Sequence, residues 1–533
     1  MVKNIAIVAL SVALIVMIGL RLDKIAPKPD SAAVGATPGF SPLQPGEAEG
    51  SEPEASRRKG FEADPVTAAD PRIVAIEAAL DAGEAMPGMR GAVLGFCLIG
   101  TGGETLYERR GDLAQIPASS LKTLTTATAL EVLGPEFRFQ TRLGVSVPAE
   151  GAAKIEADLV LAGGGDPTLS CADLESWAKG LAEAGVTTIP GRVVGDGRLF
   201  PGSIFADFWN WGDIGNGYGS PVSGLNLEHN RFAAVLVPGQ KEGDPTEFLG
   251  AVPEIPGVAF WNETLSATEG AGDGVVIHGG ERTGVMHFRG AVPMGGEFRV
   301  KGAVPDPERF AAHHLRLALL AAGIVVAGEA HGAGELLLKG ETVPAMVEDL
   351  LVHDSPPLLE IVESIHATSD NHETECVYRM LGVEAGMPSE EVVRRHWEQR
   401  GLELAGLRLV DGSGLARADH ITPRTLALLQ HLAVNGPAGE AYVNSLPAAA
   451  GGAIRFKAGA MSAVRSYAGL VETKQGRLAF SLMMNHYADG GEVSEIQGAV
   501  FSALLGESGQ ETTEGEGPGP EEAPSNEESS GKD

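Results

Sequence analysis

The feature that most limits how this chain can fold is the section from about Arg142 to Gly340, where short β-favouring runs alternate with glycine-rich turns. The segments on either side are helical in pattern, so this section reads as an insertion into a unit whose core is made from its flanks. Candidate strands inside it are Ala157–Leu161, Arg192–Val194, Ala233–Val237, Val275–His278 and Glu297–Val300. Amphipathic helices are expected near Leu174–Ala184 and Pro307–Ala322. Glycine makes up 72 of 533 residues but follows no three-residue period, which excludes a collagen-like chain.

Before the insertion, apolar spacing predicts a helix over Ile73–Leu80 and a hairpin from Ala92–Ile99 and Thr105–Tyr107 around Thr101-Gly102-Gly103. A helix follows from Ser119 to about Leu133. Helical patterning resumes near Asp354, Ile454–Asn485 reads as three consecutive strands with a turn at Lys474-Gln475-Gly476, and a last helix covers about Val493–Leu505. The expected fold class is α/β, an antiparallel sheet flanked by helices and interrupted by inserted β-rich domains. Its first part is placed at 65–141, the insertion at 142–345 and the second part at 346–505.

The ends have different physics. Lys3 precedes an apolar run from Ile5 to Leu20, and Arg21 and Lys24 follow it; with no A-x-A cleavage pattern close behind, residues 1–24 read as an export signal or an uncleaved membrane anchor. Residues 25–64 are rich in Pro, Gly, Ala and Glu, the composition of a flexible linker, and 506–533 is an acidic tail too poor in apolar residues to fold. Export to the periplasm or cell envelope is expected, with membrane contact only through the N-terminal segment. A net charge of −31 without a basic stretch argues against nucleic acid as a partner. Three cysteines with no C-x-x-C spacing indicate neither a zinc site nor a disulfide framework, and no metal or organic cofactor is expected.

The pattern S-x-x-K sets a hydroxyl and an amine one helical turn apart, so the amine can take the hydroxyl proton as the oxygen attacks a carbonyl. It occurs at Ser56/Lys59, Ser119/Lys122, Ser176/Lys179 and Ser529/Lys532. The first pair lies in the linker, the last in the tail, and Ser176 in a surface helix. Ser119, after Pro117-Ala118, opens a helix, where free N–H groups favour a developing oxyanion. Ser369-Asp370-Asn371 supplies S-x-N, a hydroxyl to relay a proton and an amide to hold a substrate backbone, although the helix that follows also suits a plain cap. Lys457-Ala458-Gly459, on the first of the late strands, adds a cation and a glycine that lets a substrate strand come close. Lys241-Glu242-Gly243 and Lys474-Gln475-Gly476 fit the same letters, but one lies in the insertion and the other is a hairpin turn.

In this order the three motifs resemble those of penicillin-recognising serine enzymes. Leu133-Gly134-Pro135-Glu136-Phe137-Arg138-Phe139, Gly165-Asp166-Pro167-Thr168-Leu169, Tyr218-Gly219-Ser220-Pro221-Val222-Ser223, His353-Asp354-Ser355-Pro356-Pro357-Leu358 and Asp411-Gly412-Ser413-Gly414-Leu415 extend the likeness. Over roughly Pro65–Leu505 the chain resembles the D-alanyl-D-alanine carboxypeptidase/endopeptidase family, the low-molecular-mass class C penicillin-binding proteins. The resemblance implies a penicillin-binding-protein/β-lactamase-like serine transpeptidase domain with nested insertions, the second near 225–315. It implies acylation of Ser119 by peptidoglycan peptides, and covalent inhibition by β-lactams. In that scheme Lys122 is the base, Ser369 a proton relay, Asn371 positions the peptide and Lys457 adds positive charge. The oxyanion hole would use the N–H groups of Ser119 and Ala460, and Gly459, Ala460, Ser462 and Arg465 would line the substrate site.

One position departs from the family: its third motif carries Thr or Ser where this chain has Ala458. The resemblance implies that this hydroxyl helps hold a terminal carboxylate, so Ser462 or Arg465 would have to compensate, and cleavage of cross-links is slightly favoured over removal of a terminal D-alanine. Two other readings fit the same motifs, a non-catalytic peptidoglycan-binding envelope protein of this fold, and a β-lactamase or esterase.

Overall fold

A computed structural model describes residues 70–148 and 155–506. The N-terminal export or anchor segment, the linker with Ser56, and the acidic tail with Ser529 lie outside the described residues.

The two ends of the described chain build one sheet. Its strands run in the order Ala448–Ala449, Ile454–Met461, Val464–Thr473, Gly476–Asn485, Val93–Ile99 and Thr105–Arg109, each antiparallel to its neighbours. The expected hairpin and the three late strands therefore join, with Val93 opposite Asn485 and Ile99 opposite Ala479. The central strands are apolar on both faces because both faces are covered. Leu94, Phe96 and Leu98 enter one core, while Cys97 and Ile99 enter the other.

Against the first face lie the helices Pro71–Glu84 and Gly490–Leu505; they come so close that a Cβ on Gly83 would meet Ile496 at 2.7 Å. Against the second runs the helix Lys122–Val132, buried from Lys122 through Leu130. Leu358–Thr368, Asn371–Ala385, Ser389–Gln399 and Pro423–Val434 add buried residues to the same core.

The inserted section has its own core. Five strands lie in the order Ala330–Gly332, Val193–Asp196, Leu159–Ala162, Gln140–Val145 and Glu348–Asp354. The helices Cys171–Glu183 and Pro307–Ala321 bury Leu174, Ala178 and Leu181, and Phe310, Leu315 and Leu319, in that same core. Since Glu348–Asp354 pairs with Gln140–Val145, the sheet reaches from before residue 142 to past residue 345, the bounds placed on the insertion, and ends where helical patterning resumes near Asp354. That edge strand is half exposed along its length, so it lacks the apolar run that marks a buried strand. Further strands group as Phe298–Ala303, Arg231–Val237 and Glu247–Val252, and as Val276–His278, Val285–Arg289 and Ala259–Asn262. Between them Phe232, Phe248, Phe260 and Phe288 pack with ring centres 4.9 to 5.8 Å apart.

Phe480 sits at the centre of the first core, fully buried, with its ring edge-on to Phe501 at 5.6 Å. Phe480→Ala is expected to lower the unfolding free energy by about 3 to 5 kcal/mol through the cavity it leaves, read as a lower urea midpoint with unchanged slope.

Candidate active site

Ser119 does not open the α-helix as its motif suggests. Ala118–Leu121 forms a 3₁₀ turn and the α-helix begins at Lys122. Ala118 lies in the left-handed region at φ 46°, which costs a residue with a β-carbon about 1 to 2 kcal/mol, so the surroundings must hold it there. They do so through three polar contacts and one close approach. Ser120 Oγ donates to Pro117 O at 2.8 Å, and Ser466 Oγ reaches the same carbonyl while lying 2.9 Å from Ser120 Oγ. Gly459, directly across from Ser466 in the sheet, faces the turn; a Cβ there would stand 2.7 Å from Ser119 N and from Pro117 O. Only glycine lets the strand approach the serine this closely.

Lys122 has no exposed surface, yet its amine has three partners: Ser119 Oγ at 2.9 Å, Asn371 Oδ1 at 2.6 Å and Ser413 O at 2.8 Å. An ammonium donates to all three; a neutral amine keeps one lone pair for the serine proton. Burial, and then the nearby charge of Lys457, push Lys122 down to about 7 against the opposing pull of Asp411, Asp370 and Glu375. At neutral pH the amine is therefore poised to accept a proton from Ser119.

The second motif straddles two helices. Ser369 ends Leu358–Thr368 at φ 61°, Asp370 caps Asn371–Ala385 by accepting from Glu373 N at 3.0 Å, and Asn371 is that helix's first residue. The cap reading of the sequence and the functional reading thus fall on neighbouring residues. Among the described residues the Ser369 hydroxyl has no hydrogen-bond partner, and its N–H donates to Ile365 O as the helix cap.

The inserted section holds this motif in place. Arg231 clamps Asp370 with two bonds of 2.6 and 3.0 Å, and Asn371 Nδ2 donates to Tyr218 O at 2.9 Å. Burial alone would raise the Asp370 carboxyl, but Arg231 and His229 overcome it and keep the group far below the ordinary carboxylate range. Because Tyr218 takes the amide nitrogen, the Asn371 oxygen faces Lys122. Glu228, His229 and Asn230 all adopt left-handed backbone, and this costly turn delivers Arg231 to Asp370 and sets His229 Nε2 3.0 Å from Glu373.

Lys457 is buried on the sheet face that carries Gly459, and its amine lies 3.3 Å from Ala458 O. Strand alternation turns Ala458 to the opposite face, where it packs with Phe456 against the first core. Phe456 N–H donates outward to Pro447 O, so the N–H groups of Ala458 and Ala460 point to the same edge. Ala448–Ala449 pairs only with Arg455 and Ile454, which leaves that edge open beside Ser119.

The two residues expected to replace the missing hydroxyl are not brought to the serine. Arg465 pairs with Ala460 and belongs to the face of Ala458, and Ser462 is exposed in the turn, where its carbonyl accepts from Arg417 at 2.7 Å. Ser176 lies in a surface helix as its pattern suggests: it is exposed, as is Lys179, whose amine lies 3.9 Å from Glu183.

Several residues of the site carry no motif that sequence reading assigns to chemistry. Arg231, Ser466 and Glu375 reach it only through the fold. Asp411-Gly412-Ser413-Gly414 was legible as a string, but its role as the floor beneath Lys122 depends on the Ser413 carbonyl, which any residue type would supply.

A serine beside a buried lysine at the open edge of an antiparallel sheet defines a serine hydrolase of the acyl-enzyme kind. The chain belongs to the D-Ala-D-Ala carboxypeptidase 3 (S13) family, whose profile matches residues 76–504. It is 30% identical over 464 residues to the D-alanyl-D-alanine carboxypeptidase of Actinomadura sp. (strain R39), which covers 80% of this chain and 84% of that protein. It is 24% identical over 415 residues to the D-alanyl-D-alanine carboxypeptidase DacB of Haemophilus influenzae, covering 73% of this chain and 84% of that one. The crystal structure of penicillin binding protein 4 (dacB) from Haemophilus influenzae shares the fold, with a TM-score of 0.69 at 19% identity, over 80% of this chain and 99% of that one.

Arg231→Met leaves Asp370 buried without its counter-charge and is expected to cost about 3 to 5 kcal/mol. Thermal melts check this, and adding Asp370→Leu should restore most of the loss because both charges are then gone.

Proposed function

We infer that this chain is a serine D,D-peptidase that cuts D-Ala-D-Ala-type linkages of peptidoglycan peptides through an acyl-enzyme on Ser119, and that β-lactams acylate the same oxygen. The observation that carries the reading is the buried Lys122 amine at 2.9 Å from Ser119 Oγ, with a pKa of about 7. Lys122 takes the serine proton as Oγ bonds to the D-alanyl carbonyl carbon. The negative charge that develops on the carbonyl oxygen falls between the N–H of Ser119 and the N–H of Ala460 on the open strand edge. Ser369 passes a proton to the leaving amine as the C–N bond breaks, and water then hydrolyses the ester and returns the serine. Asn371 orients the peptide, and Lys457 supplies positive charge beside the scissile group.

The open edge beyond Arg455 suits an extended peptide lying alongside the strand, its backbone paired to Ala458 and Ala460. The side chain of Ala458 lies on the sheet face away from Ser119, so the preference for cross-links expected from its missing hydroxyl loses its ground, and the reading covers terminal and internal D-alanyl linkages alike. The N-terminal apolar run supports export, with the peptidase held in the cell envelope where peptidoglycan is found.

Two outcomes test this. Ser119→Ala is expected to abolish covalent labelling by a fluorescent penicillin, while Ser176→Ala labels like the parent; label on Ser119→Ala protein overturns the assignment. Removing residues 1–24 is expected to give a soluble protein with unchanged hydrolysis of a D-Ala-D-Ala peptide in a purified assay, and failure to fold would show that the segment is structural.

A further inference from the structure

Glu375 is nearly inaccessible, and nothing in the reaction scheme uses it. It lies four residues after Asn371 on the helix Asn371–Ala385, so both side chains leave the same face toward Lys122. Its Oε1 accepts from Gly412 N at 2.8 Å and from Ser413 N at 2.7 Å. The carbonyl of that same Ser413 accepts from Lys122 at 2.8 Å. One residue's backbone thus connects a buried carboxylate to the amine beside the nucleophile.

The rest of the loop leaves this link rigid. Asp411 accepts from Ser413 N, Gly414 N and Ala416 N at 3.1, 2.6 and 2.7 Å, and from Trp209 Nε1 at 2.7 Å. Asp419 accepts from Val410 N at 2.6 Å; burial and Asp411 push its carboxyl up to about 10, so it stays a neutral acid. Asp411 already holds the Ser413 N–H, whereas Gly412 N donates to Glu375, so Glu375 fixes the loop on the side that faces the helix and the amine. A buried carboxylate is expensive, and this one is met by two N–H groups and by the charge of Arg379.

We propose that Glu375 is a positioning residue for the acylation step, one that aims the Ser413 carbonyl at Lys122 and sets the proton affinity of the amine. The proposal rests on the reading of Lys122 as the base. The charged groups acting on Lys122 are Lys457 from the sheet, Asp370 from the helix cap, Asp411 from the loop and Glu375 from the helix, while the buried His366 is held down to about 3 and stays neutral. Burial and Asp411 push the Glu375 carboxyl up, while Arg379 on the same helix and the Ser413 N–H pull it back toward the charged form. Negative charge at 375 favours the ammonium; removing it must lower the lysine pKa.

The test is the pH dependence of kcat/KM for β-lactam acylation and for a D-Ala-D-Ala peptide, in Glu375→Gln and Glu375→Ala. In the parent, the acid limb is expected near pH 7, since the amine must be neutral to act. Glu375→Gln keeps an oxygen for both N–H groups and loses the charge, so its acid limb should move down by about half to one pH unit, with the plateau within about threefold of the parent. Glu375→Ala loses the acceptor as well, and its plateau should fall about a hundredfold. An unmoved acid limb in folded Glu375→Gln overturns the proposal, and so does an Ala variant as fast as the parent. If Glu375→Ala does not fold, the Gln profile alone decides. Persistent labelling of Ser119→Ala would instead overturn the acyl-enzyme reading, so the two failures are told apart.

Discussion

A lysine amine without exposed surface, 2.9 Å from a serine hydroxyl, is the constraint that the rest of this fold answers. Burial makes the charged form costly and brings the amine to about 7, where it can act as a base. That cost has to be met by groups that hold the amine without trapping it as a permanent cation. The structure supplies three oxygens, from Ser119, Asn371 and Ser413, of which only neutral atoms touch the nitrogen. The carboxylates that pull in the other direction stand one residue further off, so their influence is graded rather than absolute.

Each of the three oxygens comes from a different stretch of chain, and each stretch needs its own support. The serine sits on a strained turn pinned by Ser466 and Gly459 from the sheet. The asparagine is set by a clamp from the inserted section, Arg231 on Asp370 and Tyr218 O on the amide. The carbonyl is set by Asp411 and Glu375 through backbone N–H groups. The insertion is accordingly part of the architecture of the site and cannot be treated as an appendage, because it supplies the counter-charge for the buried acid of the second motif. The left-handed run Glu228–Asn230, which several residues with β-carbons adopt at a cost, exists where that clamp leaves the strand.

Much of this was legible in the sequence where chemistry depends on side chains in fixed local order. Ser119 and Lys122 are one turn apart in any helical conformation, and Ser369-Asp370-Asn371 and Lys457-Ala458-Gly459 keep their internal spacing wherever they fold. The apolar runs at Ala92–Ile99 and within Ile454–Asn485 announced strands, and the glycine-rich middle announced an insertion. The sequence was misleading where a local rule has a tertiary override. Ser119 reads as a helix start, but Ala118 takes a left-handed φ that only contacts from the sheet can hold. Arg465 and Ser462 are near the third motif in sequence, yet strand alternation and the turn carry them away from the serine.

By itself, then, the sequence determined the family and the three short motifs, the Ser119/Lys122 pair among them, because those are set by residue type and covalent spacing. Tertiary structure alone decided which distant backbone and side chains meet the amine. Asn371 and the Ser413 carbonyl, which touch the amine, and Arg231, Glu375 and Ser466, which hold its neighbours, are separated from Lys122 by long stretches of chain, and hydrogen bonds between such groups are a property of packing. The pKa of Lys122 belongs to the same class: a lysine in sequence titrates near 10.4, and only the closing of two cores and an insertion around it removes the water that kept it there.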